Sequence, residues 1–253
     1  MKIEVHADAA AASRRAAAWI AEISRQAIER RGRFVLALSG GSTPRAMLHH
    51  LATESIDWRN VHLTQVDERV APVDSPERNL SDLQELLLAG VPLPVMQFHP
   101  MPVDDPDLPA AAERHAQLLA RLAGTPPLLD LVQLGLGADG HTASLVPGEP
   151  ALDVNDADVA VTASYNGWRR MTLTLPSINR ARRILWLVTG EQKADVLARM
   201  VRGDPSLPAS RIPRASALLL ADSAAAVRLP SRARQAAARH PAAASVIATE
   251  GRR

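Results

Sequence analysis

Cysteine is absent from this chain, which removes disulfides, thiolate metal sites and cysteine nucleophiles together. Aromatic residues make up only 3% of it, so Leu, Val, Ile and Ala must pack the core and few rings remain to stack on bases. Charge of one sign is missing too. The formal net charge is +2, and Asp and Glu are interleaved with the basic residues rather than segregated from them. A nucleic-acid partner is therefore not expected. No apolar run is long enough to span a bilayer, and the opening MKIEVHAD has no apolar signal core. These absences point to a cytoplasmic protein that binds neither nucleic acid nor membrane. Lysine is scarce as well: Lys2 and Lys193 are the only two, and every other strong cation is arginine.

What remains is ample for a core. Hydrophobic residues are 47% of 253 positions, enough to exclude wholesale disorder. Residues 1–229 are expected to form a single α/β catalytic domain. Residues 230–253, ending SRARQAAARHPAAASVIATEGRR, read as an Ala/Arg-rich extension without chemistry of its own. Within the domain, apolar strand-like runs alternate with helical ones. Strands are expected at residues 2–6, 34–38, 61–66, 95–99, 129–134, 159–163, 171–175, 184–189 and 217–220. Helices are expected over 8–31, from Pro44, over 79–89 and 109–122, and after Pro176 and Glu191. Such alternation implies a mostly parallel sheet with helices on both faces, whose ligands bind where loops leave the carboxyl ends of strands. Four loops on that edge carry unusual residues: SGGST, DER, GLGADGH and the turn 190–193.

The stretch GLGADGHTAS, residues 135–144, fits the glycine spacing of a dinucleotide-binding loop. Its surroundings contradict that reading. Pro147 and Gly148 interrupt the chain before a long helix could form, and Asp139 would face the pyrophosphate with like charge. A nicotinamide cofactor is rejected. The alternative is a tight turn presenting Asp139 and His141 at a strand tip, with Gly137 admitting a close approach. SGGST supplies a different feature, a strand-to-helix turn. There the amides of Gly40, Gly41, Ser42 and Thr43, together with Ser39, could cradle an anion at a helix start. It lacks the lysine of a nucleotide-binding P-loop and the spacing of a hydrolase nucleophile elbow. Lys193 near another helix start, where the dipole disfavours a cation, suggests an anionic partner. Of Arg169 and Arg170, one is expected to turn inward as a guanidinium clamp.

SGGSTP, VDER, SPERNLSD, DLVQLGLGADGHTASLVPG, RMTLTLPSINRAR, GEQKADVL and PASRI occur in the order seen in 6-phosphogluconolactonases. The resemblance runs from about residue 3 to 229. It implies hydrolysis of 6-phospho-D-glucono-1,5-lactone, a modified Rossmann-like fold shared with sugar-phosphate isomerases and CoA transferases, and no metal or organic cofactor. Carried over by residue, it makes the SGGST loop, Arg170 and Lys193 the phosphate site and His141 the general base. Asp67 and Arg69 then face the sugar ring and reacting carbon, while Asn79 and Ser210 border the pocket. Asp67 would orient the histidine or a sugar hydroxyl. Arg69 would stabilise the oxyanion, with the amides of residues 137–139 as competitors. A monomer or weak homodimer is expected. The nearest rival is the glucosamine-6-phosphate deaminase branch, whose motif carries a glutamate five residues after the histidine. Here that position is Val146. A non-catalytic sugar-phosphate sensor is a third reading, disfavoured because a sensor needs a clamp but no base.

Overall fold

Asp8 begins the first helix with its side chain, which accepts from the Ala11 amide at 2.7 Å, and Gly32 ends it in the left-handed region at φ 71°. This is α1 (Ala9–Arg31), in a computed structural model that describes residues 1–230. The expected extension from residue 231 onward lies outside the described residues. α1 packs Ala12, Ala16, Ile20, Ile23 and Ala27 inward at helical spacing.

Seven strands form the main sheet: β1 (Lys2–His6), β2 (Phe34–Leu38), β3 (Val61–Gln65), β5 (Phe98–His99), β6 (Leu131–Leu134), β9 (Ile184–Val188) and β10 (Ala217–Asp222). Their order is β1-β10-β9-β6-β2-β3-β5, and every pairing is parallel. The strands are apolar on both faces because both faces are covered. Phe34, Leu36 and Leu38 of β2 join one core with α1 and α2 (Pro44–Leu51), whereas Val35 and Ala37 join the other. That second core includes α4 (Leu108–Ala123), α5 (Leu175–Asn179) and α6 (Ala194–Arg202). From β2 the chain builds outward through β3 to β5, then returns to lay β6 on the other side of β2. Winding therefore reverses between β2 and β6, the position at which an open α/β sheet leaves a crevice.

Two expected strands, 159–163 and 171–175, depart from the parallel sheet, and the expected DER loop joins them. β4 (Asp67–Arg69), β7 (Val159–Val161) and β8 (Arg170–Leu173) form a separate antiparallel sheet in the order β4-β8-β7. The sequence 61–69 does not continue as one strand, because the polar Asp-Glu-Arg run leaves the central sheet after Gln65. β7 and β8 are antiparallel because a tight hairpin joins them. Tyr165 and Trp168 bridge across it, with Asn166 at φ 50° and Gly167 at φ 83°. The run 95–99 is also mostly not strand. Val95 and Met96 are exposed in a 3-10 turn after Pro94, and only Phe98–His99 pairs, at the sheet edge.

Candidate active site

At the reversal between β2 and β6, one open cleft of about 220 Å³ collects all four loops singled out in the sequence. Ser39 to Pro44 line one side, Asp67, Arg69 and Asn79 a second, and residues 135–138 with His141 a third, while Arg170 and Lys193 close it. Thus His141 and the expected anion-binding groups share one cavity.

The SGGST turn follows β2. Gly41 takes φ 98°, and among the described residues the amides of Gly40, Gly41, Ser42 and Thr43 have no protein acceptor. Ser39 is committed elsewhere: its amide and hydroxyl both meet the Gln133 carboxamide oxygen, at 3.1 and 2.9 Å. It fixes the turn to β6 rather than offering a free hydroxyl. Gly40 must be glycine for another reason, since a Cβ there would strike the Asn79 side chain.

The DGH loop is held by its own backbone. The Gly137 amide donates to the His141 carbonyl at 2.8 Å, Gly140 donates to the Gly137 carbonyl at 3.0 Å, and the Thr142 hydroxyl donates to the Gly135 carbonyl at 3.0 Å. A Cβ on Gly137 would collide with the imidazole. His141 Nδ1 lies 2.5 Å from Asp139 Oδ1. A carboxylate only accepts, so this contact places the proton on Nδ1 and leaves Nε2 with its lone pair. Burial would raise the Asp139 carboxyl, but the His141 amide and imidazole and the Tyr165 hydroxyl outweigh it and hold it below the usual range.

Two expected roles therefore change. Asp139 is not a wall of the cleft; it stands behind His141 as its partner. Asp67 makes no contact with the histidine; it lines the cleft, where a sugar hydroxyl is its other expected partner. Its carboxylate accepts from the Ser144 hydroxyl at 2.6 Å, and the Asn79 carboxamide donates to its carbonyl at 2.8 Å. Its contribution is to tie the DGH loop to β4 and to the start of α3 (Asn79–Leu86). Ser210 also lies outside the cleft. It sits in the turn Pro208–Arg211, where Ala209 donates to the Gly140 carbonyl at 3.1 Å and Leu207 fills the space a Gly140 side chain would need. That block braces the DGH loop from behind.

Strand alternation explains the DER run. Asp67 and Arg69 face the cleft, and Glu68 points the other way. Glu68 lies outside the candidate site residues that the sequence pattern singles out, yet it accepts from the amides of Asn79 and Leu80 at 2.8 and 2.7 Å and so caps α3 from another element. Burial pushes its carboxyl up despite these donors. Arg69 is steadied by donating to the Glu77 carbonyl at 2.5 Å.

Two cations close the cleft. Arg169 is exposed and Arg170 is buried, so Arg170 is the inward member of the pair. Its Nε is buried without a hydrogen-bond partner, a costly state for a charged donor. Burial lowers its pKa, opposed chiefly by Asp67. Burial likewise pushes the Lys193 ammonium below the usual lysine range, against the pull of Asp139. An anion between them would offset both costs. Among the described residues no group of three or more His, Asp or Glu side chains could hold a metal ion, and no helix is long and apolar enough to cross a membrane.

Comparison with known proteins gives a consistent picture. Residues 7–220 match the model of the glucosamine-6-phosphate isomerase/6-phosphogluconolactonase family. The chain is 42% identical over 219 residues to a 6-phosphogluconolactonase of Mycobacterium bovis, covering 81% of this chain and 89% of that protein. It is 44% identical over 178 residues to the human GDH/6PGL endoplasmic bifunctional protein, but spans only 22% of that longer chain and 68% of its own. Its fold superimposes on the 6-phosphogluconolactonase from Trypanosoma brucei with a TM-score of 0.79 at 28% identity, covering 90% of this chain and 98% of the other.

Proposed function

We propose that this chain, which belongs to the glucosamine-6-phosphate isomerase/6-phosphogluconolactonase family, hydrolyses 6-phospho-D-glucono-1,5-lactone to 6-phospho-D-gluconate in the pentose phosphate pathway. The observation that carries this reading is the shared cleft. An imidazole with a free Nε2 opens into the same cavity as Lys193 and the buried Arg170, whose Nε has no hydrogen-bond partner.

In this mechanism Nε2 of His141 takes a proton from water as the water oxygen bonds to the lactone carbonyl carbon. The resulting oxyanion is stabilised by Arg69 or by the amides of residues 137–139. Collapse breaks the bond to the ring oxygen, and His141 returns the proton to that oxygen. Asp139 keeps the Nδ1 tautomer and steadies the imidazolium, the part an orienting carboxylate plays in a triad. The amides of residues 40–43, Arg170 and Lys193 hold the phosphate away from the reacting carbon, which converts binding energy into alignment. Residues 1–229 act as one catalytic domain, with Asn79 as a wall of the cleft. We assign the protein to the cytoplasm as a monomer or weak homodimer.

The deaminase alternative needs a glutamate near the base. Val146 occupies that position and is buried, and the carboxylate of Glu149 is spent accepting from the Ala163 amide at 3.0 Å. The deciding assay mixes protein with fresh phosphogluconolactone and follows acid release against the spontaneous background. Glucosamine 6-phosphate is run in parallel with ammonia detection. Accelerated acid release without ammonia supports the lactonase. Ammonia would establish the deaminase, and ligand binding without turnover the sensor.

A further inference from the structure

Tyr165 is the one tyrosine of the chain and lies outside every motif that suggested the function. It projects from the tip of the β7–β8 hairpin, where the Asn-Gly turn fixes its backbone by a bridge to Trp168. Three contacts converge on it. Its hydroxyl donates to Asp139 Oδ2 at 3.1 Å, on the oxygen opposite the one that holds His141. Its ring meets the imidazole edge-on, with centroids 5.7 Å apart. The Arg170 guanidinium sits over the ring, 5.2 Å from its centroid.

We propose that Tyr165 is a positioning residue for the hydrolysis, locking the Asp139 carboxylate onto His141 with its hydroxyl while its ring holds Arg170 toward the phosphate. This rests on His141 being the base, as argued above. Oδ1 of Asp139 then accepts from the His141 amide and ring nitrogen and Oδ2 from the tyrosine, which fixes the plane of the carboxylate and hence of the imidazole. The same side chain sets the distance between the reacting end of the cleft and its anion-binding end. The charged groups facing this cluster are Lys193, which acts on Asp139, and Asp67, Arg69 and Glu77, which act on Arg170.

The hydroxyl and the ring are separable. Tyr165→Phe removes the bond to Asp139 and keeps the surface under Arg170; Tyr165→Ala removes both. On fresh phosphogluconolactone, Tyr165→Phe is expected to lower kcat roughly tenfold with little change in KM. Its low-pH limb should move toward higher pH, because a carboxylate no longer shared with the phenol places fuller negative charge against the imidazole. Tyr165→Ala should also raise KM several-fold, and Phe at the same position should restore KM but not kcat. The variants are read beside His141→Ala, with thermal melts to show that each is folded. Inactive His141→Ala beside a Tyr165→Phe of wild-type kcat and unmoved pH limb overturns the Tyr165 proposal alone. Equal losses in both tyrosine variants with an unmoved limb would make the role merely structural and also overturn it. Near-normal His141→Ala removes the base itself, and both readings fall together.

Discussion

Gly137 is glycine because the imidazole of His141 occupies the space its side chain would need. The constraint is one of close approach, and φ at this position is not in the left-handed region. Gly137→Ala should therefore displace the imidazole while leaving the β6 core untouched. We expect kcat to fall about 10–100-fold, in line with what a misplacement near an ångström costs, and the thermal melt to shift little. Steady-state kinetics with calorimetry on one preparation checks both halves; full activity would mean that the loop gives way and the histidine does not depend on this packing. The sequence makes His141, the pair Arg169 and Arg170, and Lys193 visible because each breaks a local expectation: a histidine in a glycine-rich turn, cations at a strand start, a lysine in a chain of arginines. Asp139 was visible as a residue but not in its role. Whether Asp67 or Asp139 reaches the imidazole depends on side-chain direction across elements, which spacing along the chain does not encode.

The elements whose signals were local were legible, and those formed by distant partners were not. Apolar residues at helical spacing over 8–31 give α1, and the apolar runs at 34–38 and 184–189 give β2 and β9, the latter one residue shorter than expected. The small antiparallel sheet is not legible: 159–163 and 171–175 read as strands of the main sheet and DER as a loop, because β4, β7 and β8 are only three or four residues each, too short for periodicity to speak. The Asn166–Gly167 pair between the runs did carry the hairpin signal. The cap of α3 was likewise invisible, since its own N-cap residue, Arg78, makes no capping bond and Glu68 arrives from β4. Glu68→Ala leaves two helix-start amides without their acceptor. It should cost about 2 kcal/mol in urea unfolding and loosen Asn79 against Asp67, lowering activity as well. A variant as stable as the parent would show that water replaces the carboxylate without loss.

At the scale of the whole molecule, reversal of the winding between β2 and β6 sets the cleft, and the motif loops fall into it because they follow those strands. The same packing makes stability depend on pH. His115 of α4 is buried against Thr64, and burial, with a smaller push from His99, takes its imidazole down to about 4 from 6.5. A depressed folded-state value means that the contribution is complete above pH 6.5 and is lost as pH falls toward 4. The loss amounts to about 3 kcal/mol at most. His62 and His99 are shifted in the same direction by burial, so His115→Gln should flatten part of the acid limb of a urea-stability profile. An unchanged profile would assign acid sensitivity to other groups. The account as a whole stands on the division of labour inside the cleft, and steady-state kinetics of His141→Ala beside Lys193→Ala on fresh phosphogluconolactone tests it most directly. The predicted result is a kcat reduced about 10²–10⁴-fold with little change in KM for the first, and a raised KM with kcat largely kept for the second. A His141→Ala enzyme that turns over at a near-normal rate would contradict it.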